Sequence, residues 1–151
     1  MYVFVPSTIP ALASLLEEGR LEGAPLTAFA ADPGPDGDPE EAEYQAMYEA
    51  AEASLALLAA DPDAPRRRVV LAATMPDPVV ERVSRAADDV VRVRVTAAVP
   101  YKKLASAHVD DAAAADDVAT AAADPGSGAA DEHELMWFAV QELRYLVEGD
   151  A

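Results

Sequence analysis

The chain has no cysteine, only two lysines and only seven glycines among its 151 residues. The absence of cysteine excludes disulfides, thiolate nucleophiles and metal sites that are built on cysteine. No apolar run approaches the ~18 residues that a membrane-spanning helix requires, and no basic, apolar leader opens the sequence. We therefore predict a cytoplasmic protein that does not enter a membrane.

Basic residues are scarce as well. The sequence has 11 Lys and Arg against 28 Asp and Glu, which gives a formal net charge of −17. Such a charge repels nucleic-acid phosphates and anionic lipid headgroups, so neither is predicted as a partner. It favours solubility or attraction to a basic partner. The abundance of alanine and the preference for arginine over lysine indicate a GC-rich genome, with adaptation to high salt as the rival explanation.

Glycine is missing from the places where phosphate-binding loops need it. A backbone cradle for phosphate uses glycine at a turn from strand to helix, so that the main chain can approach the ligand closely. Gly34 and Gly37 follow a predicted strand, but they lie in an acidic loop that repels phosphate. The nucleophile motif G-x-S-x-G is absent too. The sequence therefore predicts no cofactor and favours a protein that is not an enzyme.

Short β-branched runs alternate with helical patterns along residues 1–151. This alternation predicts a single small α/β domain with four or five mostly parallel strands flanked by helices. The predicted strands are Tyr2 to Val5, Thr27 to Ala31, Val69 to Ala73, Val91 to Val95 and Ser106 to Asp110. The strict alternation of the fourth run predicts that it lies near an edge of the sheet. A two-layer ferredoxin-like sheet with the long helix as an insertion is the alternative.

Helices are predicted between these strands and after them. The first helix ends at Gly19, and the second runs from Glu40 to Ala60. The third follows Thr74 as far as Ala87, the fourth covers Asp111 to Ala123, and the fifth runs from Asp131 to Glu148. At about 100° per residue, the long helix places Tyr44, Met47, Tyr48, Ala51, Leu55 and Leu58 on one arc, which is predicted to face the core. Residues 124–130 (DPGSGAA) are predicted to form a flexible linker before the closing helix.

The acidic loop of residues 32–43 partly matches a calcium-binding loop. Acids occupy positions 1, 5, 7 and 12, and glycine occupies position 6, as oxygen ligands and a sharp turn require. Glycine at position 3 and proline at position 8 depart from that pattern, and a strand rather than a helix precedes the loop. The plainer interpretation is an acidic surface loop that leads into a helix start, where acids are favourable. We predict no metal site and leave calcium binding by this loop open.

Polar side chains lie at or just after the carboxyl ends of several of the predicted strands. In a parallel sheet the carboxyl ends of the strands share one edge, and ligands of α/β proteins bind there. Asp32, His108 and Asp110 are therefore candidates for a pocket that binds a small molecule or performs catalysis. Ser7, Thr8, Thr74 and Asp77 would lie on the same edge. The plainer explanation is that these side chains cap helices.

The predicted closing helix is apolar on two sides. Its core-facing arc holds Leu135, Met136, Ala139, Leu143, Leu146 and Val147, while Trp137 and Gln141 lie opposite, with Phe138 and Tyr145 between. Such a helix is either sandwiched within the domain or presents a second face to a partner. In the second case, Trp137, Phe138, Gln141 and Tyr145 would form the interface with a protein partner or with a second copy of the chain.

Several stretches of the sequence carry a family resemblance. They are YVFVPSTIPAL, TAFAA, EEAEYQAMYEAAEASLALLAADPDAPRRRVVLAA, AHVDDAAAADDV and HELMWFAVQEL. Together they resemble a family of small acidic actinobacterial proteins that has no assigned function. The resemblance covers most of the chain, implies a bacterial cytosolic protein, and brings no catalytic residues with it. The sequence thus favours a non-catalytic protein-interaction or regulatory module, with a small-molecule-binding protein or an enzyme as the alternative.

Overall fold

The computed structural model describes residues 1–149, and that range contains nine β-strands and four α-helices joined by short 3₁₀ turns. The strands are β1 (Tyr2–Ser7), β2 (Arg20–Leu21), β3 (Leu26–Ala31), β4 (Val69–Thr74), β5 (Val80–Ala87), β6 (Val90–Val95), β7 (Val99–Pro100), β8 (Leu104–Val109) and β9 (Met136–Ala139). The helices are α1 (Ile9–Glu18), α2 (Pro39–Ala60), α3 (Ala115–Ala123) and α4 (Leu143–Glu148).

Seven strands form one sheet in the order β5-β6-β3-β1-β4-β8-β9, and each neighbouring pair is antiparallel. Strands β2 and β7 form a separate antiparallel pair. The prediction of four or five mostly parallel strands is therefore wrong. The alternation of strands and helices misled it, because α2 does connect two strands of the same direction, β3 and β4. However, β1 lies between them and runs the opposite way.

Helices cover both faces of this sheet. On β1, Val3 and Val5 join the core under α1 and α4, whereas Phe4 points to the other face and packs under α2. Helix α3 packs against the far half of α2. The two-layer ferredoxin-like alternative is therefore wrong as well, since a two-layer fold leaves one face of its sheet uncovered by helices.

Helix α1 begins and ends as the sequence predicts. The Thr8 hydroxyl caps its first turn by accepting a hydrogen bond from the backbone N–H of Ala11 at 3.3 Å. Gly19 ends it with φ of 80°, a left-handed conformation that side chains with a Cβ rarely adopt. These local signals need no knowledge of the tertiary fold.

Helix α2 has the predicted length, and its core face matches only part of the predicted arc. Its buried residues are Ala42, Ala46, Ala50, Ala51, Ser54, Leu55 and Leu58. Tyr44 is 54% exposed and Tyr48 is 39% exposed, so the predicted core arc is wrong for both. The small alanine side chains let the helix lie close to the sheet, where Phe4 and Phe29 fill the space from the sheet side.

Two predicted helices are wrong. Residues 77–87 form a short 3₁₀ turn and then β5, an edge strand that is mostly exposed and has irregular register with β6, so it lacks an alternating apolar pattern. The predicted closing helix divides into β9, a 3₁₀ turn at Val140–Glu142 and the short α4. Residues 125–127 form a 3₁₀ turn, and the flexibility of the 124–130 segment stays a prediction.

Candidate functional site

The predicted sheet-edge pocket does not assemble. Asp32 follows β3 and Asp110 follows β8, and these strands run in opposite directions, so the two carboxylates lie at opposite ends of the sheet. Asp32 instead pairs with two arginines of β5, Arg82 at 3.3 Å and Arg85 at 3.2 Å. An antiparallel sheet has no common carboxyl edge that could bring the candidate residues together.

Asp110 is fully buried and belongs to an internal ion pair. Its two carboxylate oxygens accept hydrogen bonds from Nε and one terminal nitrogen of Arg68, both at 2.9 Å, and from the Arg68 backbone N–H at 2.8 Å. The same guanidinium donates to the carbonyl oxygens of Ala130, at 3.4 Å, and His133, at 3.0 Å. The pair therefore ties together β4, β8 and the segment that leads to β9.

Two carboxylates of the acidic loop of residues 32–43 have partners within the fold. Asp32 binds the arginines of β5, and Asp38 caps α2 by accepting a hydrogen bond from the Glu40 N–H at 3.0 Å. Within residues 1–149, no three acidic or histidine side chains lie close enough to hold a metal ion.

His108 and Trp137 do meet. The register of β8 and β9 pairs these two residues directly, so both side chains point to the α2 face of the sheet. They line a cavity of about 240 Å³ between the sheet and the first turns of α2. Its lining residues, which define the aromatic cavity, are Tyr2, Phe4, Glu40, Glu43, Tyr44, Met47, Ser106, His108 and Trp137.

The periodicity of three elements builds this cavity. Tyr2 and Phe4 are alternate residues of β1, and Ser106 and His108 are alternate residues of β8, so each pair shares one face of the sheet. The rings of Tyr2 and Phe4 meet edge to face, with 5.2 Å between their centroids. The centroids of the Phe4 and His108 rings lie 6.3 Å apart. Helix α2 adds the other wall through residues 40, 43, 44 and 47, a spacing that places side chains on one helix face.

The cavity has a negative electrostatic character. Glu40 and Glu43 supply two carboxylates, and no lysine or arginine is among the lining residues. Burial lowers the pKa of His108 below its ordinary 6.5, which favours the neutral imidazole. Burial also raises the pKa of Tyr2, an effect that Glu43 reinforces and a hydrogen bond with Ser106 opposes.

The other residues of the predicted interface lie away from Trp137. Phe138 points to the opposite face of β9 and packs, partly buried, against the core under α1 and α4. Gln141 is exposed in the 3₁₀ turn that follows. Tyr145 lies on α4, 39% exposed, with the Arg144 guanidinium 4.7 Å above its ring. The strand conformation of residues 136–139 separates side chains that a helix would have kept within one broad surface.

The sequence of the chain matches a known family. A sequence model of a family of unknown function (DUF6912) matches residues 1–147, nearly the whole chain. The chain belongs to this family. The resemblance to a family without assigned function is thus confirmed, while its actinobacterial character stays a prediction. No curated protein and no solved structure was found to match the chain.

For this member of the family, sequence reasoning missed most of the residues that line the cavity. The sequence pattern predicts that Tyr44 and Met47 lie in the core, and it predicts only strand conformation for Tyr2 and Phe4. The spacing of residues 40, 43, 44 and 47 on a helix was a usable signal, because two acids and two large side chains recur on one face. What the sequence could not supply was the sheet that faces them.

The neutral His108 gives the fold a predicted pH dependence. Because burial holds its pKa below the value in the unfolded chain, the unfolded chain takes up a proton first as the pH falls below about 6.5. Stability should therefore decrease as the pH falls from 7.5 to 5.5. Glu40 and Glu43 face the same cavity, but burial is what sets the direction of the pKa shift of His108. In His108→Gln this decrease should be smaller, as urea unfolding at the two pH values would measure. An equal decrease in both proteins would contradict the assignment.

None of the helices within residues 1–149 is both long and apolar enough to cross a membrane.

Proposed function

We propose that this chain is a non-catalytic protein-interaction module whose binding surface surrounds the aromatic cavity. The observation that carries the proposal is the exposure of four large aromatic side chains there: Tyr2 (36%), Tyr44 (54%), Tyr48 (39%) and Trp137 (61%). These four residues, the aromatic rim, include the only tryptophan of the chain. Tryptophan and tyrosine are the residues on which protein interfaces most often depend.

The shape of the surface around the aromatic cavity supports a macromolecular partner. Its volume of about 240 Å³ is below the roughly 300–1,000 Å³ that is usual for small-molecule sites. Two further depressions, of about 150 and 350 Å³, adjoin it along α2, and Tyr44 lines all three. Such shallow, neighbouring depressions suit a partner surface that inserts single side chains.

Strand β9 forms the edge of the sheet beside the cavity, and this edge favours contact through side chains over pairing with a strand of the partner. Strand β9 has only four residues, and the outward-facing N–H of Ala139 already donates to Oε1 of Glu142 at 3.0 Å. In an antiparallel ladder the N–H groups of alternate residues point the same way, so Trp137 has the remaining outward-facing N–H of β9. This edge is too short and too well capped to bind an added strand.

Charge favours a basic partner over a second copy. Two chains that each carry a net charge of −17 repel each other, whereas a basic surface is attracted. We therefore propose a positively charged protein partner, in the cytoplasm, and no binding to nucleic acid or membrane lipid.

A small-molecule-binding protein is the second candidate. The observation that favours it is the presence of Ser106, His108 and the Tyr2 hydroxyl within one cavity, where they could orient a polar ligand. Asp32 and Asp110 cannot contribute to it, because each lies elsewhere and is engaged in ion pairs.

Site-specific photo-cross-linking would test the interaction. A benzophenone side chain would replace Trp137 in one variant and, as a control, Val83 in another, in cells that make the protein. Val83 is 48% exposed on β5, at the other edge of the sheet. We expect position 137, and not position 83, to yield a cross-link to one protein partner. With that partner purified, Trp137→Ala should weaken binding at least tenfold.

Two controls accompany this experiment. Because Trp137 is largely exposed, Trp137→Ala should unfold at nearly the wild-type denaturant concentration. The solution mass from light scattering should be that of a monomer for both proteins. A cross-link to a second copy and a dimeric mass would replace the proposed partner with a homodimer. Equal cross-linking from positions 83 and 137, or no cross-link at all, would contradict the proposal.

A further inference from the structure

We infer that the aromatic cavity is a binding site for a guanidinium group, and that an arginine side chain of the partner protein occupies it. The inference rests on the proposed function for the identity of the partner. The cation site itself stands on the chemistry of the cavity and can be tested without any partner.

The walls of the cavity are the kind that bind organic cations. Four aromatic rings, from Tyr2, Phe4, Tyr44 and Trp137, surround the space together with the thioether of Met47. The faces of aromatic rings carry negative potential, and a cation within about 6 Å of a ring centroid is attracted to them. A neutral apolar ligand would gain nothing from the carboxylates that share this lining.

The two carboxylates lack a counter-charge. Neither Glu40 nor Glu43 forms an ion pair with any residue in the described range 1–149. Arg68 lines the adjoining cavity, but it is buried and bound to Asp110. The lining therefore combines aromatic rings with two carboxylates, one helical turn apart, that have no ion-pair partner, and it includes no lysine or arginine.

Size and shape favour guanidinium over other cations. A cavity of about 240 Å³ has room for the end of one long side chain and excludes a folded peptide segment. A guanidinium group is planar, so it can stack on the rings while its N–H groups reach two carboxylates. An ammonium group is a compact and more strongly hydrated charge, so it gains less from stacking.

The fluorescence of Trp137, the single tryptophan, provides a direct measurement. The purified protein would be titrated with N-acetyl-arginine amide, with the neutral isostere N-acetyl-citrulline amide, and with N-acetyl-lysine amide. We expect a saturable change in emission with the arginine compound, an affinity at least threefold weaker with the lysine compound, and no saturable change with the citrulline compound. Raising the salt concentration should weaken the arginine response.

Two double variants, which remove the same number of negative charges, distinguish binding at the cavity from attraction to the overall negative charge of the protein. The double variant Glu40→Gln/Glu43→Gln should bind N-acetyl-arginine amide at least tenfold more weakly. Glu17→Gln/Glu18→Gln removes the same number of charges from exposed positions on α1, on the opposite face of the sheet, and should change the affinity less than twofold. Equal losses in the two double variants would overturn the site, and so would equal binding of the citrulline compound.

The two proposals fail in different ways. If the arginine compound does not bind while the cross-linked partner still depends on Trp137, the cation site is wrong and the interaction surface stands. If the compound binds but position 137 cross-links to no protein, the site takes a free organic cation and the proposed protein partner is wrong.

Discussion

Replacing Asp110 by asparagine is expected to lower the free energy of unfolding by about 3–5 kcal/mol. Arg68 is only 1% exposed, and Asp110 is its carboxylate partner. Asparagine keeps the shape of the side chain but removes the charge, so a buried guanidinium is left uncompensated, and such a charge is strongly unfavourable away from water. Urea unfolding of the two proteins, followed by circular dichroism, would measure the difference.

Asp32→Asn is the matched control for that substitution. Its ion pairs with Arg82 and Arg85 are exposed to solvent, where an ion pair contributes at most about 1 kcal/mol. A loss as large as that of Asp110→Asn would show that exposure is not what separates the two sites. The double variant Arg68→Met/Asp110→Leu should recover much of the loss, because no buried charge then lacks a partner. Failure to recover would shift the explanation to the lost contacts with Ala130 and His133.

The contrast between these two aspartates shows what sequence reasoning could and could not reach. Both follow a strand, and the sequence placed both at one edge of a parallel sheet. Local signals are sound at each position, since β3 and β8 are strands as predicted. The direction of each strand depends on partners far along the chain, and no local pattern encodes it. The ion pair between Arg68 and Asp110, 42 positions apart, has no local signal either.

The candidate site was predicted in separate parts. The sequence makes His108 a candidate for a ligand pocket and Trp137 a candidate for a protein interface, under competing hypotheses of function. They share one cavity because the β8–β9 register pairs them, and β9 was predicted as helix. Met136 to Ala139 contains tryptophan and phenylalanine, which favour strands, but a four-residue strand is too short for a clear alternating pattern.

The second large effect on the free energy of unfolding is expected from larger side chains on the buried face of α2. The double variant Ala46→Leu/Ala50→Leu should lower the free energy of unfolding by about 2–6 kcal/mol, since each overpacked position costs about 1–3 kcal/mol. Both alanines are 0% exposed and pack against the sheet beside Phe4 and Phe29. Larger side chains there must push the helix away from the sheet. Urea unfolding would measure the loss.

Tyr44→Ala is the contrasting substitution, on the exposed face of the same helix. Periodicity alone places Tyr44 in the core, and removing a buried tyrosine would cost several kcal/mol, as truncation of other large core residues does. In the structure Tyr44 is 54% exposed at the aromatic rim, so the loss should stay within about 0.5 kcal/mol. A large loss in Tyr44→Ala with little effect at Ala46 and Ala50 would restore the core arc that periodicity predicts. It would also remove Tyr44 from the binding surface, because a side chain needed for folding cannot be free to contact a partner.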